Sequence, residues 1–148
     1  MTAPLQISFE VACSAEHAFA VWTSAIGTWW PPDHTVSGRA QRVVLQAGVG
    51  GRIYERTPEG VEHDWGTVTS WEPPSRLTYQ WHIGRDRDEA TEVEIRFQPQ
   101  GPGLTLVEIE HRGWERLGPS GDERRSQNRA GWQTLLPHFR RALAKGDS

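Results

Sequence analysis

Six histidines and one cysteine are the side chains of this 148-residue chain best suited to metal binding or nucleophilic chemistry. No two of the histidines stand as HxH or HxxxH, the spacings that set two imidazoles on one strand face or one helix face. His63, His82 and His111 fall in different strand-like segments, so no metal site is expected. If Tyr79 and Trp81 face inward, His82 faces solvent. His111 shares the face of Val107 and Ile109 and is the one histidine with a case for the interior. It reads there as a satisfied core residue, or as a ligand contact or acid–base group, and it is the one candidate for catalysis. Cys13 has no second cysteine to bond and no histidine beside it. No serine sits in a GxSxG elbow. Glu92, Glu94, Glu108 and Glu110 fall on outward strand faces, and Asp64 points away from His63. The glycines of Gly48-Val49-Gly50-Gly51 lead into a strand rather than a helix N-terminus, so they read as a hairpin turn with positive φ and not as a phosphate cradle.

The stronger constellation is aromatic. Eight tryptophans accompany only two tyrosines and four phenylalanines. Trp22 and Trp30 come from short helical segments, and Tyr54, Trp65, Tyr79, Trp81 and Phe97 from strands. Trp114 and Trp132 come from the closing region. With His111 and Asn128 they form the expected ligand-binding set. Either these indoles fill a core, or several line a cavity where a flat apolar body with one N–H donor grips an apolar or aromatic molecule. Arg125, Asn128 and Arg129 could stand at its mouth, and Gly131 would let a helix approach the sheet closely. Trp65 and Trp71 face the same way as Val68, or opposite to it, depending on a bulge.

The elements that must position these groups follow from periodicity. Leu5, Ile7, Phe9 and Val11 alternate with polar residues as a half-buried strand. Ser14 caps a helix whose apolar stripe is Ala15, Ala18, Phe19 and Trp22. A second short helix over Ser24–Trp30 is stopped by Pro31-Pro32. Strand patterns then cover Val43–Gln46, Arg52–Thr57, Val61–Trp71, Leu77–Ile83, Val93–Phe97 and Thr105–His111, joined by turns too short for a crossover helix. After the Gly118–Gly121 break, Asp122–Lys145 is helical, with Trp132, Leu135, Leu136, Phe139 and Leu143 on one face. Pro137 inside it predicts a bend. The fold class is therefore α+β: a curved antiparallel sheet wrapped around a long C-terminal helix, one domain over residues 1–148.

That order resembles the bacterial homologues of the activator of the heat-shock-protein-90 ATPase, a START-like helix-grip family. The resemblance rests on SAEHAFAVWT (Ser14–Thr23), IGTWWPP (Ile26–Pro32), GGRIYE (Gly50–Glu55) and WGTVTSWEPPSRLTYQW (Trp65–Trp81). It continues in TLVEIEHRGW (Thr105–Trp114) and GWQTLLPHF (Gly131–Phe139). It implies a fold with an internal cavity. The chaperone-binding domain of the eukaryotic activator has no counterpart here, so the family name does not carry its activity over.

The function expected is binding of a small hydrophobic or aromatic molecule between sheet and helix. The alternatives are a cyclase or hydrolase in the same cavity and a module acting on a chaperone ATPase. A net charge of −3 with scattered arginines gives no nucleic-acid footprint. The segment MTAPLQISFE lacks a signal-peptide pattern and no run approaches a membrane span, so a cytoplasmic protein is expected. No cofactor is called for, and monomer and homodimer both stay open.

Overall fold

The computed structural model describes residues 3–146. Alternating apolar and polar side chains produce seven strands: β1 (Leu5–Val11), β2 (Arg42–Leu45), β3 (Arg52–Arg56), β4 (Glu62–Glu72), β5 (Arg76–Trp81), β6 (Thr91–Gly101) and β7 (Leu104–Arg112). They form one antiparallel sheet in the order β1-β7-β6-β5-β4-β3-β2. Five neighbouring pairs follow hairpin connections, while β1 crosses to pair with β7 and sets Leu5 opposite His111. Between β1 and β2 lies α1 (Ala15–Trp22), whose N-cap Ser14 hydroxyl accepts the His17 amide at 3.1 Å. The chain closes with α2 (Gly121–Gly146), preceded by a 3-10 stretch over Trp114–Ser120. This is the helix-grip architecture expected: the apolar stripe Trp132, Leu135, Leu136, Phe139 and Leu143 is buried with the inner face of the sheet. α2 runs on as one helix through Pro137.

Two bulges settle the phase of β4. Ile53 pairs with Gly66 and Tyr54 with Asp64, which leaves Trp65 as the extra residue; Thr69 is extra opposite β5. Trp65 and Val68 are thereby both buried, and Trp71 packs edge-on against Phe19 at 5.1 Å. Trp65, Val68 and Trp71 therefore share one face. Gly66 beside the first bulge has no alternative, because a Cβ there would meet the Gln80 carbonyl oxygen at 1.9 Å.

Other local expectations shift. The segment expected as a helix over Ser24–Trp30 is a single 3-10 turn, Ile26–Thr28, and a second turn, Pro32–His34, forms beyond the first proline. Proline has the φ of a first helical residue, so the diproline ends one turn and begins another. β5 stops at Trp81, two residues before its expected end. The chain turns there, with the His82 amide donating to the Trp65 carbonyl. His82 is consequently buried, not solvent-facing. The outer face of β6 and β7 carries an ionic lattice in which Arg112 bonds Glu92, Glu94 and Glu110, so the outward carboxylates are paired rather than freely solvated.

The centre of the grip is filled by its own aromatic rings. Trp22 lies against Phe139 at 4.8 Å, Trp29 at 5.2 Å and Trp132 at 6.0 Å. Phe97 packs on Phe19 at 5.5 Å. A mainly apolar open space lies at one edge.

Candidate functional site

The cleft at that edge holds about 320 Å³ and its walls are mainly apolar. One wall is just over two turns of α2, presenting Gln127, Asn128, Gly131, Trp132 and Leu135. A second is the segment around the diproline, with Trp30, His34, Thr35 and Val36. The third is the end of β5 and the turn after it, with Trp81, Ile83 and Gly84. A larger recess of about 520 Å³ runs beside β1, but polar groups such as Ser8, Arg125, Arg129 and Gln133 share its lining. The chemistry of the lining favours the smaller one for an apolar guest.

Each indole of the cleft is held from behind. Trp30 packs on Trp65 at 5.0 Å and on Trp81 at 5.9 Å, and Trp81 on Tyr79 at 5.6 Å. Trp132 donates its indole N–H to His111 Nδ1 at 3.1 Å. An indole nitrogen is donor only, so His111 carries its proton on Nε2 and donates it to Thr91 Oγ1 at 2.6 Å. The Thr91 hydroxyl in turn donates to the Trp81 carbonyl at 3.3 Å. One chain of hydrogen bonds thus ties the helix wall to the strand wall. Burial, with Arg124 adding repulsion, pushes the His111 pKa down to about 3. With both nitrogens engaged and no face on the cleft, His111 braces Trp132 and is not placed as an acid or base.

The middle wall depends on a residue with no prior case for the interior. Glu55 is fully buried. Its carboxylate accepts the Ser37 hydroxyl at 2.6 Å, the Ser37 amide at 2.9 Å, the Trp65 indole N–H at 2.8 Å and the Val36 amide at 2.5 Å. Desolvation pushes its pKa up, but the bonds from Ser37, Val36 and Trp65 outweigh it and hold the carboxyl below its ordinary value. Glu55 therefore latches residues 36–37, and with them the cleft rim, onto β3.

His34 is the other group missed. It stands in a diproline stretch with no periodicity to flag it, yet its side chain lines the cleft. Its Nδ1 meets the Asp33 carboxylate at 2.8 Å and its Nε2 the Thr134 hydroxyl at 2.8 Å. The Trp30 indole donates to the His34 carbonyl at 3.0 Å and fixes the backbone.

Of the expected ligand-binding set, Trp30, Trp81, Asn128 and Trp132 line the cleft. Trp22, Trp65 and Tyr79 form the layer behind it. Tyr54 belongs to the opposite face of β3, since Ile53 and Glu55 take the inward positions, and it lies under the Arg52 guanidinium at 4.3 Å. Phe97 is core beneath α1, and Trp114 lies tilted against His111 at 4.3 Å with its N–H on the His111 carbonyl. Arg125 leaves the mouth to bond the carbonyls of Ala3 and Pro4. Arg129 is on the β1 side with it. Gly131 does not serve close approach: a Cβ there would meet nothing within 4 Å. The residue widens the cleft instead. Among the described residues the one cluster with metal-binding geometry is Asp86, Asp88 and Glu89, an acidic turn away from the cleft walls.

Comparison with known proteins fits this architecture. The family model described as Activator of Hsp90 ATPase homolog 1-like protein matches residues 12–144. The chain belongs to that family. No curated protein matches it. Among solved structures, the family member is similar to an anthrahydroquino-γ-pyrone synthase at 37% identity, with 82% of this chain and 84% of that one covered and a TM-score of 0.59. It is similar to CalC, a self-sacrificing resistance protein from Micromonospora echinospora, at 25% identity, 97% and 95% coverage and a TM-score of 0.70. A Mesorhizobium loti protein shares the fold at 18% identity, with 99% and 100% coverage and a TM-score of 0.73. No helix among the described residues is long and apolar enough to cross a membrane.

Proposed function

We propose that this family member binds a flat, largely apolar aromatic molecule in the indole-lined cleft. The observation that carries the reading is the convergence of Trp30, Trp81 and Trp132 on one space of about 320 Å³. Such a volume is at the small end of ligand pockets and suits a guest of two or three fused rings. Three π-faces favour planar guests over aliphatic chains by about 0.5–1.5 kcal/mol per ring pair beyond the area buried. Asn128, Gln127 and His34 supply the few polar contacts that would orient such a guest.

Tryptophan fluorescence tests this. Titration with 1-naphthol and 9,10-anthraquinone is expected to give saturable quenching, weaker for a fatty acid of equal carbon number. Absence of saturation for every planar compound would overturn the reading. A second reading, an enzyme closing a ring on such a molecule, is favoured by the 37% identity to the γ-pyrone synthase. Its mark would be a new product, detected by mass spectrometry, from an aromatic polyketide-like diketone that the Trp132→Ala variant fails to convert.

A further inference from the structure

His34 is the one titratable side chain on the cleft wall, and its surroundings are those of a proton acceptor. Asp33 is acceptor-only, so the 2.8 Å contact places a proton on His34 Nδ1 and leaves Nε2 as the basic nitrogen. Nε2 is occupied by Thr134 at 2.8 Å. That hydroxyl has a second use: it lies 3.0 Å from the Gly131 carbonyl one turn back in α2. The Thr134 hydrogen can therefore turn to the helix carbonyl and leave the Nε2 lone pair without a donor, and a change of the Thr134 rotamer then opens Nε2 to a ligand hydroxyl. Gly131, whose carbonyl receives it, borders the cleft. The imidazole is about one-fifth exposed, so a planar guest lying over it would exclude water from its side of the contact with Asp33 and strengthen the pair.

We propose that His34 is a general base for an acidic hydroxyl, phenolic or enolic, of the aromatic molecule in the cleft, with Asp33 as its positioning residue. The inference rests on the binding reading above. In the step, the ligand O–H bond breaks, its proton bonds to Nε2 and the electron pair stays on oxygen. The imidazolium formed is balanced by Asp33. Return of the proton from Nε2 closes the cycle with nothing oxidised or reduced. The other titratable group near Asp33 is His138 of α2, whose positive form acts on the Asp33 charge. Thr134 and the Trp30 indole, both uncharged, hydrogen-bond to His34 as well.

The test uses 4-nitro-1-naphthol, whose naphtholate absorbs visible light, bound to the full chain at saturation set by tryptophan quenching. Bound to the wild type, it is expected to ionise about one pH unit below its free midpoint, roughly tenfold more naphtholate at a given pH. His34→Gln, with affinity weakened a few-fold and the probe concentration raised to match, returns the midpoint to that of the free probe. Asp33→Asn falls between. Saturable quenching with an unshifted midpoint, or a shift that persists in His34→Gln, overturns the role of His34 and leaves the binding reading intact. No saturable quenching by any planar probe overturns both.

Discussion

At the scale of single residues, the cleft depends on two polar groups that do not line it, Glu55 and His111. Glu55 satisfies four donors with one carboxylate, and its loss orphans the buried Trp65 N–H together with two amides of the rim. Glu55→Gln keeps the volume but replaces one acceptor oxygen with a donor. It is expected to cost about 1–3 kcal/mol in urea unfolding and to weaken ligand quenching, because residues 36–37 come loose. Trp132 plays both roles, lining the cleft with its ring and bonding His111 with its nitrogen. Trp132→Phe keeps an aromatic face yet leaves Nδ1 of a buried imidazole without a donor, for about 1–3 kcal/mol of stability. Denaturant midpoints at constant m-value would separate this loss from any change in affinity.

At the scale of elements, α2 does two jobs on adjoining faces, with Trp132 and Leu135 on the border between them. Trp132, Leu135, Leu136, Phe139 and Leu143 bury one stripe, while Gln127, Asn128 and Gly131 face the open edge. A glycine in a helix interior costs about 1 kcal/mol relative to alanine. Gly131 has no steric need to be glycine, since open space meets its Cβ position. Gly131→Ala is therefore expected to stabilise the protein by about 0.5–1 kcal/mol while only trimming the cleft. Gly131→Leu is expected to fold equally well and to lower affinity for planar ligands at least about tenfold by filling the space. Equal affinity in Gly131→Leu and wild type would place the ligand elsewhere.

For the molecule as a whole, two buried titratable groups make stability fall in acid. His111 in the unfolded chain takes up its proton near pH 6.5, but in the folded protein only near pH 3. The unfolded state thus binds the proton first as pH falls. Stability that is complete above pH 6.5 is lost progressively toward pH 3, at up to about 1.4 kcal/mol per pH unit. Glu55 acts in the same direction and lower: its folded pKa lies under the ordinary 4.5, so its contribution is present above that value and lost as pH falls through the folded one. Chemical denaturation between pH 8 and 4 is expected to show a decline beginning near pH 6.5. In His111→Gln, less stable overall, the slope between pH 6.5 and 5 should flatten. An unchanged slope would mean that the folded imidazole protonates normally.

The sheet and its closing helix were legible along the chain because their signals are local. Period-two alternation sets Val107, Ile109 and His111 on one face whatever the rest of the molecule does, and period 3.6 does the same for Trp132 and Phe139. Their inward direction follows from burial of the apolar face. The indoles of the cleft were visible as types, and Trp30, Trp81, Asn128 and Trp132 as candidates. Which indoles open onto space and which fill it was decided only in three dimensions. A bulge of one residue at Trp65 resets a whole face, and the exchange of Tyr54 for Glu55 on the inner side of β3 depends on donors arriving from residues 36–37 and from β4. His34 joins Thr134 across 100 residues of chain. A carboxylate goes inside, or an imidazole gains a partner, only where distant backbone supplies the matching donor or acceptor, and no local pattern records that meeting.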